Sequence, residues 1–337
     1  MTNRQIRLQR RPAGAPTPDD FAIVDSPAPT IEDSHVLRRT IYLSLDPYMR
    51  GRMNDARSYA KPVALGDVMV GGTVSEVVES RHPSFKPGDF VVGMDGWQQW
   101  ASSAPTGLQR LDPTVAPIST ALGVLGMPGL TAYVGLLDIG QAKSGETVVV
   151  SAASGAVGAV VGQLARLKGC RAVGVAGSKD KCDYLTRDLG FDAVVSHRDP
   201  DLRAALSAAC PAGIDVYFEN VGGVVLEAVM GLLNRGARIP LCGLVSQYNV
   251  RPLPPGPNLI PLLTNRARIQ GFLVMDHFDR YDAFMREVAP WVRSGELRYR
   301  EDIVEGLDAA PQAFIGMLEG KNFGKLLVRI SPDPTRQ

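Results

Sequence analysis

Hydrophobic and polar positions along the 337-residue chain change their rhythm once. Over roughly the first 120 residues the apolar positions form short runs broken by Pro, Gly and Asp, the texture of an all-β domain. Residues 36–45, 68–78 and 90–94 read as strands, the last of them after the turn Lys86-Pro87-Gly88-Asp89. From about Gly123 the pattern alternates between strand and helix. Strands are predicted over residues 147–151, 171–175, 193–196, 215–220 and 237–242, with helices over 157–168, 179–189 and 226–233. Such alternation predicts a doubly wound parallel sheet, so the fold class is α/β with an all-β region ahead of it. A last segment carries a predicted helix over 309–318 and a strand over 325–330. The pattern leaves open whether that strand ends the parallel sheet or returns to the first domain.

One strand–loop–helix within the alternating region carries candidate chemistry. The β-branched run Val148-Val149-Val150 leads through small residues into Gly155-Ala156-Val157-Gly158 and a helix. Small residues let a backbone approach a pyrophosphate, and N–H groups at a helix start point at its charge. The pattern is AxGxxG, with Ala153 where the first glycine usually stands. A site selective for NAD places Asp or Glu at the end of the next strand to accept from the ribose 2′-hydroxyl. Here that position falls on Ala176-Gly177-Ser178, and Lys179 and Lys181 follow, with Asp180 between them. A lysine pairs with a 2′-phosphate that a carboxylate would repel, so the expected cofactor is NADPH. Plain solvation of the two lysines on a helix start is the competing reading.

Composition narrows the partners. A formal charge of +1 with no basic block argues against nucleic acid. The arginines near the start, Arg4, Arg7, Arg10 and Arg11, precede Asp19 and Asp20 rather than an apolar stretch, so no signal peptide is expected. The apolar stretch 121–137 is broken by Pro128 and glycines and does not read as a membrane span. A cytoplasmic protein is the expectation. Cys170, Cys182, Cys210 and Cys242 form no C-x-x-C pair, and His35, His82, His197 and His277 are equally dispersed. That spacing predicts no metal site and mostly inert, buried thiols.

The order of further motifs resembles the zinc-independent medium-chain dehydrogenase/reductases, in particular the leukotriene/prostaglandin-reductase-like group of NADPH-dependent enone (alkenal) reductases. The resemblance spans nearly the whole chain. It rests on Leu45-Asp46-Pro47-Tyr48-Met49-Arg50, Gly126-Met127-Pro128-Gly129-Leu130-Thr131-Ala132-Tyr133, Gly155 to Gly158, Glu219-Asn220-Val221-Gly222-Gly223, Cys242 to Asn249, the proline-rich loop 252–257 and Asn322-Phe323-Gly324-Lys325. It implies a GroES-like substrate domain over 1–124, a Rossmann NADPH-binding domain over 125–297 and a return of 298–337 to the GroES-like domain. It also implies a homodimer. Carried over residue by residue, it sets Gly155, Ala156, Val157 and Gly158 against the pyrophosphate, Lys181 at the 2′-phosphate and Asn220 along the adenosine–ribose path. Cys242, Gly243, Ser246 and Tyr248 flank the nicotinamide side with Phe272, Leu273 and Val274, and Asn322 closes over it. One departure stands out. Where relatives have a tyrosine beside the 2′-phosphate, this chain has His197 followed by Arg198.

Without a metal, a developing oxyanion needs hydrogen-bond donors aimed at it. The expected reaction delivers hydride to the β-carbon of an α,β-unsaturated ketone or aldehyde, so the enolate oxygen bears the charge. Tyr248 is the first candidate donor, because its loop follows a parallel strand and an unperturbed phenol keeps its proton at neutral pH. The cofactor's ribose hydroxyl is a second, and Tyr48 a third, as donor or as ring wall. Met53, Met127 and Met275 serve as soft pocket walls or as ordinary core. Two other functions compete: an NADPH-dependent quinone oxidoreductase on the same scaffold, and a non-catalytic NADPH-binding sensor. The physiological substrate is not legible, because the loops at 54–61 and 251–263 shape its pocket.

Overall fold

The computed structural model describes residues Met1 to Arg336, and in it the chain divides into two compact units. One comprises residues 1–123 and 301–337, the other residues 124–300.

The first unit is the β-rich one. Strands β1 (Thr2–Leu8) and β2 (Phe21–Pro27) pair antiparallel. A larger sheet is built from β3 (Val36–Ser44), β4 (Thr73–Ser80), β5 (Phe90–Gly93), β6 (Trp100–Ser103) and β7 (Gln109–Leu111). A one-turn helix, α1 (Tyr48–Arg52), follows β3. The strand expected over 68–78 starts only at Thr73. The preceding residues cross the unit's core instead: Met69 N–H donates to Ile6 C=O at 2.9 Å, and a Cβ on Gly71 would lie 2.7 Å from Leu43 Cδ1.

The second unit opens with α2 (Met127–Val134) and carries six parallel strands among its described residues. They alternate with helices: β8 (Thr147–Val150), α3 (Gly158–Leu167), β9 (Arg171–Ala176), α4 (Lys179–Arg187), β10 (Ala193–Ser196), α5 (Leu202–Ala209), β11 (Ile214–Phe218), α6 (Gly223–Met230), β12 (Leu233–Leu241), α7 (Ile260–Asn265) and β13 (Arg268–Gly271). A longer helix, α8 (Tyr281–Ser294), closes the unit. The strand order is β10-β9-β8-β11-β12-β13. Connections therefore leave β8 and β11 in opposite directions, and the crevice between their carboxyl ends is the topological switch point where such sheets bind ligands. The sheet's core is aliphatic, with Val149, Val173, Ile214, Val229 and Ile239 all buried.

Two expected boundaries move. The helix expected over 226–233 is α6, which begins at Gly223 and ends at Met230, while Leu233 already opens β12. Buried apolar residues continue from Val225 across Met230 to Leu233, so polarity marks no break between helix and strand. Gly222 and Gly223, at φ 80° and 56°, supply the sharp entry. The strand expected over 215–220 stops at Phe218, because Glu219 and Asn220 turn to bond other segments.

The chain then returns to the first unit through β14 (Glu301–Glu305), α9 (Ala310–Leu318) and β15 (Lys325–Arg329). β15 runs parallel to β14 and antiparallel to β3, which answers the question the pattern left open. Its Leu326, Leu327 and Val328 are buried in the first unit's core. No helix among the described residues is long and apolar enough to cross a membrane.

Candidate dinucleotide site and its flanking donors

The loop between β8 and α3 is shaped by close backbone approach. Ala152 adopts the left-handed conformation at φ 49°. A Cβ on Gly158 would sit 2.4 Å from Ala152 O and 2.8 Å from Ala153 Cα, so only glycine fits the helix start. Gly155 is less confined, at 3.2 Å from the same oxygen. Ala153 stands where the fingerprint has its first glycine, and it is fully buried, with its N–H on Val175 C=O at 3.0 Å. Its methyl is accommodated because β9 carries Gly174, whose Cβ would stand 3.0 Å from it. Further along α3, Gly162 lies under the Phe191 ring, where a Cβ would be 1.9 Å from Cζ. Gly155, Ala156 and Val157 remain half-exposed at the mouth of the helix, where Ala159 N–H donates to Gly155 C=O at 3.0 Å and the N–H groups of Val160 and Val161 donate to Val157 C=O at 3.1 and 3.0 Å.

The segments that follow β9 and β10 carry Lys179, Lys181 and Arg198 together with Asp180, Asp183 and Asp199. Ser178 caps α4, its hydroxyl accepting from Lys181 N–H at 3.4 Å. His197 donates its backbone N–H to Ala176 C=O at 2.9 Å, which sets it beside the β9 terminus. A Cβ on Gly177 would stand 2.7 Å from His197 Nε2, so the imidazole occupies room that Gly177 leaves. Partial burial lowers the His197 pKa below its ordinary value, and the charges of Arg198 and Lys181 lower it further. Lys179 is engaged with Asp183 at 2.5 Å. Of the two lysines the sequence offered, it is Lys181 whose charge acts on His197.

At the switch point the ENVGG segment folds around its own acid. Glu219 is fully buried, and its Oε1 accepts from Ser151 Oγ at 2.9 Å, Tyr217 Oη at 3.0 Å, Val221 N–H at 2.6 Å and Gly222 N–H at 3.0 Å. Burial raises its pKa, and those four donors oppose the rise. Asn220 donates its side-chain amide to Ser151 C=O at 2.9 Å and its backbone N–H to Ser151 Oγ at 2.8 Å. Its side chain is therefore a brace between β8 and β11. Cys242 and Gly243 both donate N–H to Glu219 C=O, at 2.9 and 3.1 Å. The Cys242 thiol is pushed up to about 12, mainly by burial and further by Glu219. Ser246 Oγ donates to Val221 C=O at 2.6 Å, tying the next loop to the same corner. The Tyr248 hydroxyl folds back over this loop, 3.2 Å from where a Cβ on Gly243 would be. Phe272 packs edge-on against Phe218, with ring centroids 6.2 Å apart, and Leu273 and Val274 follow it half-exposed.

Tyr48 and Asn322 belong to the first unit. Tyr48 opens α1 and is half-buried, and burial with the nearby Asp46 carboxylate holds its phenol well above the usual range. Asp46 itself accepts from Lys325 Nζ at 2.6 Å, both side chains being almost fully buried. Asn322 turns its amide onto Gly324 C=O at 2.9 Å, within its own loop. The sequence alone did not single out Ser151 or the roles of Glu219, Gly174 and the Asp46–Lys325 pair. An acid two and three residues ahead of the N–H groups of Val221 and Gly222 is the one signal that pointed to the Glu219 turn.

The chain matches the family described as the N-terminal domain of oxidoreductase over residues 4–111, and the zinc-binding dehydrogenase family over 156–290. It is 54% identical over 337 residues to the NADPH-dependent curcumin reductase of Escherichia coli K12, covering 98% of each chain. The chain belongs to the zinc-independent medium-chain dehydrogenase/reductases, in their enone reductase group. This enone reductase is also 42% identical to the NADP-dependent 2-alkenal reductase of Nicotiana tabacum, over 98% of both chains. Among solved structures it superposes on CurA of Vibrio vulnificus in complex with NADPH, with a TM-score of 0.94 and 51% identity over 98% of this chain and 100% of that one. Among its described residues no group of three or more His, Cys, Asp or Glu is placed to hold a metal ion.

Proposed function

We propose that this enone reductase, an NADPH-dependent oxidoreductase acting on the C=C bond of enones and alkenals, uses Tyr248 to stabilise the enolate that forms. The observation carrying the cofactor assignment is that Lys181 and Arg198 act on His197, which occupies the room at Gly177, where Ala176-Gly177-Ser178 holds no carboxylate for a ribose 2′-hydroxyl. A dinucleotide fits the adjoining loop, because Gly155, Ala156 and Val157 leave only small, half-exposed side chains at the start of α3. Gly155, Ala156, Val157 and Gly158 would hold the pyrophosphate; Lys181 and His197 the 2′-phosphate. Asn220 would act through its brace on Ser151, with Cys242, Gly243, Ser246, Phe272, Leu273 and Val274 shaping the nicotinamide side and Asn322 capping it. NADPH, when bound, supplies hydride to the substrate's β-carbon and a ribose hydroxyl as an additional donor.

Tyr248 donates a hydrogen bond from its hydroxyl to the enolate oxygen. Tyr48, its phenol held protonated by burial, is the second donor candidate. The enolate then takes a proton at its α-carbon, leaving a saturated carbonyl. The enzyme is further proposed to be a homodimer. β13 ends the six-stranded sheet, and the adjacent α7 exposes Ile260 and Leu263, features that suit pairing with a second copy. The test is NADPH oxidation against a 2-alkenal, an aliphatic enone, a phenylalkenone and a quinone, with NADH in parallel. Turnover of the enones with NADPH preference and a saturated carbonyl product supports the reading; turnover of the quinone alone replaces it.

A further inference from the structure

The most unusual polar group in the second unit is Glu219. Four donors converge on its Oε1, while Oε2 is buried and has no hydrogen-bond partner among the described residues. Leaving a buried carboxyl oxygen unmatched is unfavourable, so a residue retained in that state has other work than stabilising the core. Its place in the fold indicates what that work is. The donors come from three directions: Ser151 at the carboxyl end of β8, Tyr217 within β11, and the N–H groups of Val221 and Gly222 at the entry to α6. The Glu219 carbonyl also takes the N–H groups of Cys242 and Gly243 at the end of β12. One residue thus ties together the ends of β8, β11 and β12 at the point where the chain connections diverge.

We propose that Glu219 is a positioning residue for the nicotinamide half of the cofactor, its Oε1 and Ser151 Oγ fixing the width of the switch-point crevice and the seat of the Cys242–Tyr248 loop. The inference rests on the NADPH reading and deepens it. No side-chain atom of Glu219 needs to touch the dinucleotide. It acts through Ser151 between β8 and β11, and through the Gly222-Gly223 turn. That turn is itself possible only because both glycines take positive φ. A Cβ on Gly222 would stand 2.9 Å from Leu244 Cδ2, so the turn and the loop after β12 are packed on each other and shift together. The adenosine end, at Lys181 and His197, lies beyond β9 and shares none of these bonds.

That asymmetry supplies the test. Binding of NADPH and of adenosine 2′,5′-bisphosphate, which lacks the nicotinamide half, is measured by fluorescence and calorimetry for wild type, Glu219→Ala, Glu219→Gln, Ser151→Ala and Tyr217→Phe. Glu219→Ala is expected to raise the NADPH Kd about tenfold or more while the bisphosphate Kd stays within about twofold. Glu219→Gln keeps an acceptor oxygen and is expected to restore NADPH binding to within about threefold of wild type. Ser151→Ala, a milder change should Glu219→Ala fail to fold, is expected to show the same split. Tyr217→Phe removes a donor that belongs to the strand, so it should lower Tm without moving either Kd. Equal weakening of both ligands by Glu219→Ala and Ser151→Ala, or loss of Tm with both Kd values unchanged, would reduce Glu219 to a core group and overturn the proposal. Wild type that binds the bisphosphate but not NADPH would instead remove the cofactor reading, and this inference with it.

Discussion

His197 is a residue whose neighbours set its chemistry. Burial lowers its pKa below the ordinary histidine value, and the charges of Arg198 and Lys181 lower it further. A 2′-phosphate set among the three reverses the sign of the local field and raises that pKa. NADPH binding then takes up a proton, and affinity for NADPH strengthens as pH falls toward the ordinary histidine value of about 6.5. The phosphate itself titrates near pH 6, so the measurement is the difference in pH slope between wild type and His197→Ala from about pH 8 to 6.5. Identical slopes would remove His197 from the site, and NADH should show no such slope in either protein. Lys181 contributes fixed charge. Lys181→Ala is expected to raise the KM for NADPH by about 10- to 100-fold, the worth of a charged hydrogen bond of about 1.5–3 kcal/mol. The KM for NADH should hardly move, and equal effects on both cofactors would count against the assignment. Tyr248→Phe is expected to lower kcat with the NADPH Kd near normal. Unchanged kcat would transfer the enolate to Tyr48 or the ribose hydroxyl.

The β8–loop–α3 element shows how a dinucleotide fingerprint works when one glycine is missing. Ala153 is tolerated because the neighbouring strand yields space at Gly174, whereas Gly158 has backbone on its open side. Gly158→Ala therefore forces the loop away from Ala152. Both stability and NADPH binding are expected to fall, the former by about 1–3 kcal/mol as for other overpacked sites, checked by urea unfolding and fluorescence titration. Gly155→Ala, with 3.2 Å to the nearest backbone oxygen, should be milder on stability. Much of this element was legible in the sequence. A β-branched strand, small loop residues and an apolar helix leave few alternatives, and the lack of an acid at the end of β9 is read from the sequence directly. The brace at Glu219 was not legible. Its donors lie as far apart as Ser151 and Gly222, and only the parallel pairing of β8 with β11 brings them together.

At the scale of the molecule, the first unit is assembled from both ends of the chain, and Asp46 and Lys325 mark the seam. They pair at 2.6 Å across 279 residues of sequence, with side chains only 9% and 5% exposed. Breaking such a pair leaves a buried charge without compensation. Lys325→Met is expected to destabilise the unit by about 3–5 kcal/mol, while Lys325→Met combined with Asp46→Leu should recover most of that loss. Denaturant unfolding of both variants checks it; additive losses would mean the pair is not coupled. The sequence by itself determined the two textures, the parallel α/β unit, the fingerprint loop and the lack of a carboxylate at the end of β9. Those features are local, because periodicity, glycine placement and the side chain at a strand end act within a few residues. Tertiary structure alone decided that β15 pairs with β3, that Asn220 braces Ser151, and that Glu219 gathers three strand ends. Each of those depends on which strands lie side by side, and a strand's pairing partner is fixed by the packing of the whole sheet, not by its own pattern of residues.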